Sequence, residues 1–132
     1  MPLTRGSLYR YSYLWSREHD RREISGRKAR PVCLVVRSSA LPAALFLFPL
    51  TSRPPAPGMS ALEIPETECR RANLAQPCWI IVEEYNRIDE DELYDFESLI
   101  PLGEFSLGFL KRIGLAITKA SEDKRLKAVR RS

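Results

Sequence analysis

The stretch SGRKARPVCLVV, residues 25–36, places a cluster of cations directly before a run of strand-forming residues. Residues 31–36 are apolar and include three β-branched valines, which predicts a buried strand, and proline is tolerated at a strand start. Arg27, Lys28 and Arg30 stand immediately before this run, although removing a charge from water is costly. Either a basic loop simply ends where the sheet begins, or the strand holds Arg30 toward a phosphate.

The rest of the chain predicts more short strands and a C-terminal helix. Alternating aromatics predict a strand over residues 8–15, and apolar runs predict strands over 45–50, 61–64 and 78–86. Residues 66–71 and 106–120 have helical patterns, the second with Ser106 as its N-cap. This order predicts a mainly β member of the α+β class, a small curled barrel in one domain over residues 1–120. Residues 121–132 are basic and unpatterned, which predicts a flexible tail.

Charge is distributed unevenly along the 132 residues, whose formal net charge is +4. Residues 1–53 contain ten Lys or Arg against three Asp or Glu, whereas residues 54–105 contain three against twelve. The first part of the chain is therefore predicted to build a positive surface suited to a polyanion.

The residue inventory excludes several classes of site. Three cysteines without a C-x-x-C pair argue against disulfides and zinc and are typical of the reducing cytoplasm; Cys33 and Cys78 are predicted to be core thiols. His19 is the single histidine, and no nucleophile elbow, P-loop or dinucleotide fingerprint occurs. No apolar run resembles a secretion signal or a membrane span. We expect a cytoplasmic protein that needs no metal or cofactor and does not bind membranes.

Arg30 and Thr51 are the residues that strand pairing can bring together. If the strand that starts at Arg30 pairs antiparallel with the one that ends near Thr51, a guanidinium and a hydroxyl reach the same small volume. Arginine binds phosphate through two parallel hydrogen bonds, and the hydroxyl can donate a third. The alternatives are an ion pair for Arg30 and a turn-capping role for Thr51.

Five segments, in this order, resemble the PemK/MazF family of bacterial toxins over residues 6–118. They are GSLY, GRKARPVCLVV, FPLTSR, LEIP and WIIVEEYN. The resemblance implies an SH3-like twisted β-barrel of five to seven strands with a C-terminal helix, as in Kid, MazF and CcdB, usually as a homodimer. It also implies the toxin of a type II toxin–antitoxin system, which cleaves single-stranded RNA, chiefly mRNA, without a metal and is held inactive by an acidic antitoxin.

The same resemblance assigns the site residues. The family's catalytic arginine and threonine correspond to Arg30 and Thr51, and its later acidic position corresponds to Glu84, with Asn86 on the same strand face and Glu83 the less favoured neighbour. The predicted RNA-binding residues flank these positions: Trp15, Arg17, His19, Arg27, Lys28, Ser52, Arg53 and Arg87. Trp15 is a candidate platform for a splayed base; the alternative is a core tryptophan. For the cations of the 16–29 loop, which include Arg21 and Arg22, the alternative is solvated charge.

A metal-free mechanism fits these residues. The RNA 2′-hydroxyl attacks the adjacent phosphorus, Arg30 stabilises the added charge, Thr51 binds a non-bridging oxygen and Glu84 acts as the base. Two other functions stay open at this point. One is a non-enzymatic binding module on the same barrel, such as a CcdB-like inhibitor of a protein target. The other is a degenerate toxin that only binds its antitoxin.

Overall fold

The computed structural model describes residues 3–16 and 28–130. Its strands are β1 (Ser7–Tyr11), β2 (Arg30–Arg37), β3 (Ala44–Thr51), β4 (Ala61–Glu63), β5 (Trp79–Ile81), β6 (Glu84–Asp89), β7 (Gly103–Glu104) and β8 (Lys127–Arg130). The helices are α1 (Glu66–Arg71) and α2 (Leu107–Glu122). The described part of the chain is therefore mainly β with two helices, which confirms the predicted α+β, mainly β class.

The strands form one mainly antiparallel sheet. Its order is β4-β5-β3-β2-β1-β7, while β6 pairs with β3 and with β8. The β6–β8 pair is parallel and the other pairs are antiparallel. Eight strands are assigned within residues 3–16 and 28–130, more than the five to seven expected.

The sheet is covered by apolar side chains on both faces because alternate residues of its strands point to opposite sides. Leu8, Cys33 and Phe48 share the first cluster with α2 residues such as Ile113. The second cluster contains the neighbours of those strand residues: Tyr9, Tyr11, Val32, Leu34 and Leu47. Cys33, Cys69 and Cys78 are all buried free thiols, as predicted for the first and the third.

The predicted strand over residues 78–86 is divided in two. β5 pairs with the end of β3, through Leu50 opposite Ile80, and β6 pairs with its start, through Leu47 opposite Asn86. The irregular residues between them reverse the alternation, so that odd-numbered Ile81 and even-numbered Ile88 belong to the same cluster. The break therefore changes which residues of the segment face each cluster.

The C-terminal helix starts as predicted and ends slightly later. The Ser106 hydroxyl accepts a hydrogen bond from the backbone N–H of Phe109 at 3.1 Å and donates one to Glu68 at 2.6 Å, so the cap also ties α2 to α1. Leu107, the first residue of α2, is 84% exposed. Within the described residues, no helix is both long and apolar enough to cross a bilayer.

The expected flexible tail differs from the structure. Residues 127–130 form β8, whose partner in parallel register is β6, with Val129 buried opposite Asn86. The segment is basic and has no apolar alternation that would predict a strand, so its pairing with β6 is what makes it one.

Candidate functional site

The ends of β2 and β3 lie side by side, as the sequence predicts. β2 begins at Arg30, β3 ends at Thr51, and their antiparallel register places Val32 opposite Pro49. Arg30 and Thr51 each lie two residues beyond this pair, at the same end of the two strands. Alternate residues of a strand project to the same face, so Arg30 shares the face of Val32 and Thr51 shares the face of Pro49, on one side of the sheet.

A groove of about 670 Å³ opens at this point. Six of the predicted site residues line it: Trp15, Lys28, Arg30, Thr51, Ser52 and Arg53. Lys28 and Arg53 are exposed, while Arg30 is half-buried. The groove therefore has three cations and two hydroxyls around one opening, and side chains of these types bind anions.

Arg30 rests on an aromatic surface. Its guanidinium carbon lies 5.1 Å from the centroid of the Trp15 ring, and the ring of Tyr13 meets Trp15 edge-on with centroids 5.0 Å apart. Trp15 is only 8% exposed. Trp15 thus lines the groove while its ring is packed beneath Arg30, which favours the alternative of a core tryptophan; stacking on a base stays a prediction. Cation–π contact stabilises the guanidinium there without neutralising it.

The hydroxyl of Thr51 takes part in the turn that follows its strand. Its oxygen accepts a hydrogen bond from the backbone N–H of Arg53 at 3.2 Å. Acceptance uses a lone pair and leaves the hydroxyl hydrogen able to donate into the groove. The turn-capping and ligand-binding interpretations of Thr51 are therefore compatible.

Asn86 lies outside the groove, contrary to its assignment as catalytic. Its side chain is completely buried. The amide accepts from the backbone N–H of Leu14 at 2.8 Å and donates to the Leu14 carbonyl at 2.7 Å. Leu14 follows the end of β1 at Tyr11. The Asn86 side chain therefore makes the two hydrogen bonds to Leu14 that a neighbouring strand would make.

Glu84 shares the face of Asn86, as predicted, and holds the same segment. Its Oε1 accepts from the Tyr13 hydroxyl and from the Ser16 backbone N–H, each at 3.0 Å. Burial and then the nearby carboxylate hold the pKa of Tyr13 well above its ordinary value, so the phenol stays protonated and donates. Glu84 is not one of the residues that line the groove.

Arg87 is separated from the groove by the sheet. In the alternation of β6 it shares the face of Tyr85, whose ring stacks on Phe46 with centroids 4.5 Å apart, whereas Glu84 and Asn86 point to the other side. Arg87 does not line the groove either. Its assignment to RNA binding therefore stays a prediction that this groove does not include.

Other predicted residues lie outside the part that the structure describes. These are Arg17, His19 and Arg27, together with the loop cations Arg21 and Arg22.

Sequence reasoning missed the apolar part of the groove. Pro55 and Met59 line it from the β3–β4 connection, and Leu74 and Cys78 line it from the connection between α1 and β5. The segment RPPAPG at residues 53–58 predicted only a turn. Its position directly after Thr51 was the available signal, because a turn there must border any site at the end of β3.

A scan against models of known protein families finds no match for this chain, and a search of curated proteins finds none either. The case for a function therefore rests on the groove itself.

Proposed function

We propose that this chain is a metal-independent endoribonuclease that cleaves single-stranded RNA, the toxin of a bacterial type II toxin–antitoxin pair of the PemK/MazF kind. One observation carries the proposal: Arg30, at the start of β2, and Thr51, at the end of β3, line one groove together with Lys28 and Arg53. The mainly antiparallel sheet with a C-terminal helix is compatible with the SH3-like twisted barrel that this family implies.

The charges of the groove suit a phosphodiester. A guanidinium can donate two parallel hydrogen bonds to a phosphate, and Arg30 is steadied by the Trp15 ring. The exposed Lys28 and Arg53 can hold the neighbouring phosphates electrostatically. Both types of contact bind RNA without reading its sequence.

In the proposed reaction, the 2′-oxygen of one nucleotide forms a bond to the adjacent phosphorus, and the bond from phosphorus to the 5′-oxygen breaks. The products are a 2′,3′-cyclic phosphate and a 5′-hydroxyl. The 2′ proton leaves to a base and the departing oxygen gains a proton. Arg30 and Thr51 stabilise the charge that develops on the non-bridging oxygens. Glu84 is proposed as the base only as a hypothesis, because it does not line the groove.

The proposal includes its partners and compartment. The RNA would be chiefly mRNA in the bacterial cytoplasm, and an acidic antitoxin peptide would compete for the same cations. A homodimer is proposed on the family resemblance.

The decisive experiment is cleavage of a mixed-sequence single-stranded RNA by purified protein in EDTA. Wild type should give fragments with 2′,3′-cyclic phosphate and 5′-hydroxyl ends. Arg30→Ala should reduce the rate about 10²–10³-fold, the effect of removing one donor to a developing oxyanion. Arg70→Ala is the matched control, because Arg70 is an exposed arginine of α1 that pairs with Glu66 outside the groove.

Two results would count against the proposal. If wild type does not cleave RNA, the chain is a binding protein or a degenerate toxin. If Arg30→Ala cleaves as fast as Arg70→Ala, the guanidinium has no role on the phosphate.

A further inference from the structure

A second cleft lies at the other end of β2, between that strand and α2. It has a volume of about 450 Å³, and its lining includes Arg5, Val36, Arg37, Gly114, Ile117 and Thr118. None of these residues lines the groove at the start of β2. Arg30 and Arg37 are the first and last residues of an eight-residue strand, so these two ends are roughly 20 Å apart.

Arg5 is fixed beside the cleft by an irregularity in β2. Between Leu34 and Val36, β2 advances by two residues while β3 advances by one, so Val35 is an additional residue at this point. Such a residue is left out of the regular hydrogen-bond ladder. The Val35 carbonyl accepts a hydrogen bond from Arg5 Nε at 2.8 Å. The Arg5 guanidinium is therefore held through one nitrogen, and its two terminal nitrogens can donate to a ligand.

Arg37 supplies a buried donor to the same cleft. Its Nη2 forms an ion pair with Glu90, whose other carboxylate oxygen accepts from the backbone N–H of Ala43 at 3.0 Å. Its Nη1 is buried and has no hydrogen-bond partner within residues 3–16 and 28–130. A buried donor without a partner is costly. Because Arg37 lines the cleft, an acceptor atom of a bound ligand would offset this cost.

The charges around the cleft favour a ligand with a single negative charge. The backbone N–H of Ala43, and then the Arg37 guanidinium, hold the pKa of Glu90 below its ordinary value, so Glu90 is ionised at physiological pH. Its carboxylate compensates one of the two guanidiniums, and one positive charge remains. A carboxylate ligand matches that charge, whereas a phosphate dianion would exceed it.

The rest of the lining is mostly aliphatic. Val36 and Ile117 are partly buried and pack against the first core cluster. At Gly114, a Cβ atom would meet nothing within 4 Å beyond its own stretch of helix, so there is open space beside α2. The Thr118 hydroxyl donates to the Gly114 carbonyl at 3.0 Å, so its hydrogen is already used. A ligand in the cleft therefore meets two guanidiniums and aliphatic side chains.

We propose that this cleft binds an aliphatic monocarboxylate, either a short free acid or the C-terminal carboxylate of a peptide that ends in an aliphatic residue. A guanidinium donates two parallel hydrogen bonds to a carboxylate, and Val36 and Ile117 contact the aliphatic part. The volume lies within the range of small-molecule sites. The proposal is independent of RNA cleavage, because the cleft and the groove share no residue.

The test is an NMR titration of protein with isotope-labelled isoleucine methyl groups, followed at the Ile117 resonance. The probes are isocaproate and acetylglycylleucine, each compared with its neutral amide, and inorganic phosphate. A carboxylate should shift the Ile117 resonance, and its amide should bind about 10- to 100-fold more weakly, the effect of losing hydrogen bonds to a charged group. The tighter of the two carboxylates distinguishes a free acid from a peptide end.

Gly114→Leu fills the cleft without removing a charge. Leucine favours a helix more than glycine does, and the added Cβ meets no neighbour. Gly108→Leu is the matched control, because Gly108 lies in the same helix, does not line the cleft, and would bring its Cβ only to 3.9 Å from Ser106 Oγ. Should Gly114→Leu fail to fold, Arg5→Gln is the second variant, with Arg70→Gln as its control at an exposed arginine outside the cleft.

Carboxylate binding that is lost in Gly114→Leu and kept in Gly108→Leu would support the proposal, as would a loss of about 10-fold or more in Arg5→Gln alone. The proposal is overturned if neither carboxylate shifts the Ile117 resonance, or if the amides bind as tightly as the acids. Wild-type binding in both Gly114→Leu and Arg5→Gln would place the ligand elsewhere. Binding of phosphate without either carboxylate would also overturn it, because the cleft would then select a different anion.

Discussion

Replacing Asn86 by alanine should lower the free energy of unfolding and loosen the segment that carries Trp15, which lines the groove. The change removes two hydrogen bonds at once, those to the N–H and the C=O of Leu14. Both backbone groups then lie in a buried environment without their side-chain partner, because Leu14 is 1% exposed. Each unsatisfied group costs about 1–3 kcal/mol, so we expect the free energy of unfolding to fall by about 2–6 kcal/mol.

The measurement is urea unfolding followed by tryptophan fluorescence. The chain contains two tryptophans, so the series is made in a Trp79→Phe background in which Trp15 is the single emitter. Loss of the Leu14 anchor should expose Trp15 and shift its emission to longer wavelength. Thr67→Ala is the control for an exposed position and should change stability by no more than about 0.5 kcal/mol.

Asn86→Asp tests the direction in which stability changes with pH. A protonated aspartic acid can both donate to and accept from Leu14, whereas the carboxylate cannot donate and is costly to bury. Burial should therefore raise the folded-state pKa of the introduced carboxyl group above its ordinary value. The stability of this variant, relative to wild type, should be best at acidic pH and should fall as pH rises from the ordinary pKa through the raised one.

Three results would refute this reasoning. One is a loss below about 1 kcal/mol on Asn86→Ala, which would mean that water replaces the amide. Another is unchanged Trp15 emission. The third is an Asn86→Asp variant with wild-type stability that no longer cleaves RNA, which would return Asn86 to a catalytic role.

Three further predictions concern the groove. Glu84→Gln should lower the cleavage rate without changing the shape of its pH profile, because Glu84 does not line the groove; loss of an acidic limb would identify Glu84 as the base. Changing Lys28 and Arg53 together to glutamine should reduce the slope of log affinity against log salt by ~1.4, about 0.7 for each lost contact to a single strand; an unchanged slope would mean solvated charge. An acidic antitoxin peptide should displace labelled RNA from a Thr51→Ala protein in a competition titration, and RNA fully retained at saturating peptide would place the antitoxin elsewhere.

The strand ends of the site were predictable because their signals are local. An apolar run bounded by Arg30 on one side, and another closed by Thr51, mark where two strands begin and end. Antiparallel pairing of neighbouring strands then leaves only one arrangement of these ends. The helix cap at Ser106 is local in the same sense, since it depends on residues within one turn.

The roles of Glu84 and Asn86 could not be read locally. The period of two places both on one strand face, and this is correct. What occupies that face is decided by residues 13–16, more than sixty positions earlier in the chain. Arg87 was different, since the same alternation was enough to place it on the opposite face from Glu84.

The aromatic alternation at residues 9, 11, 13 and 15 shows how a correct pattern can arise from an incomplete strand. It predicted a strand through Trp15, yet β1 ends at Tyr11. All four aromatics nevertheless pack in one cluster. They do so because the side chains of Asn86 and Glu84 provide beyond Tyr11 the hydrogen bonds that a neighbouring backbone would provide.

The use of side-chain partners in place of a backbone partner also shapes the groove. A backbone partner would have fixed residues 13–15 as ordinary sheet, with no carboxylate beside the Tyr13 hydroxyl. Side-chain partners hold the Trp15 ring under Arg30 while placing a buried phenol and Glu84 behind it. The guanidinium and the carboxylate act with opposite sign on the pKa of Tyr13, so both charges are felt at one buried hydroxyl. Arg30 is thereby held half-buried against the Trp15 ring at the start of β2, where it lines the groove.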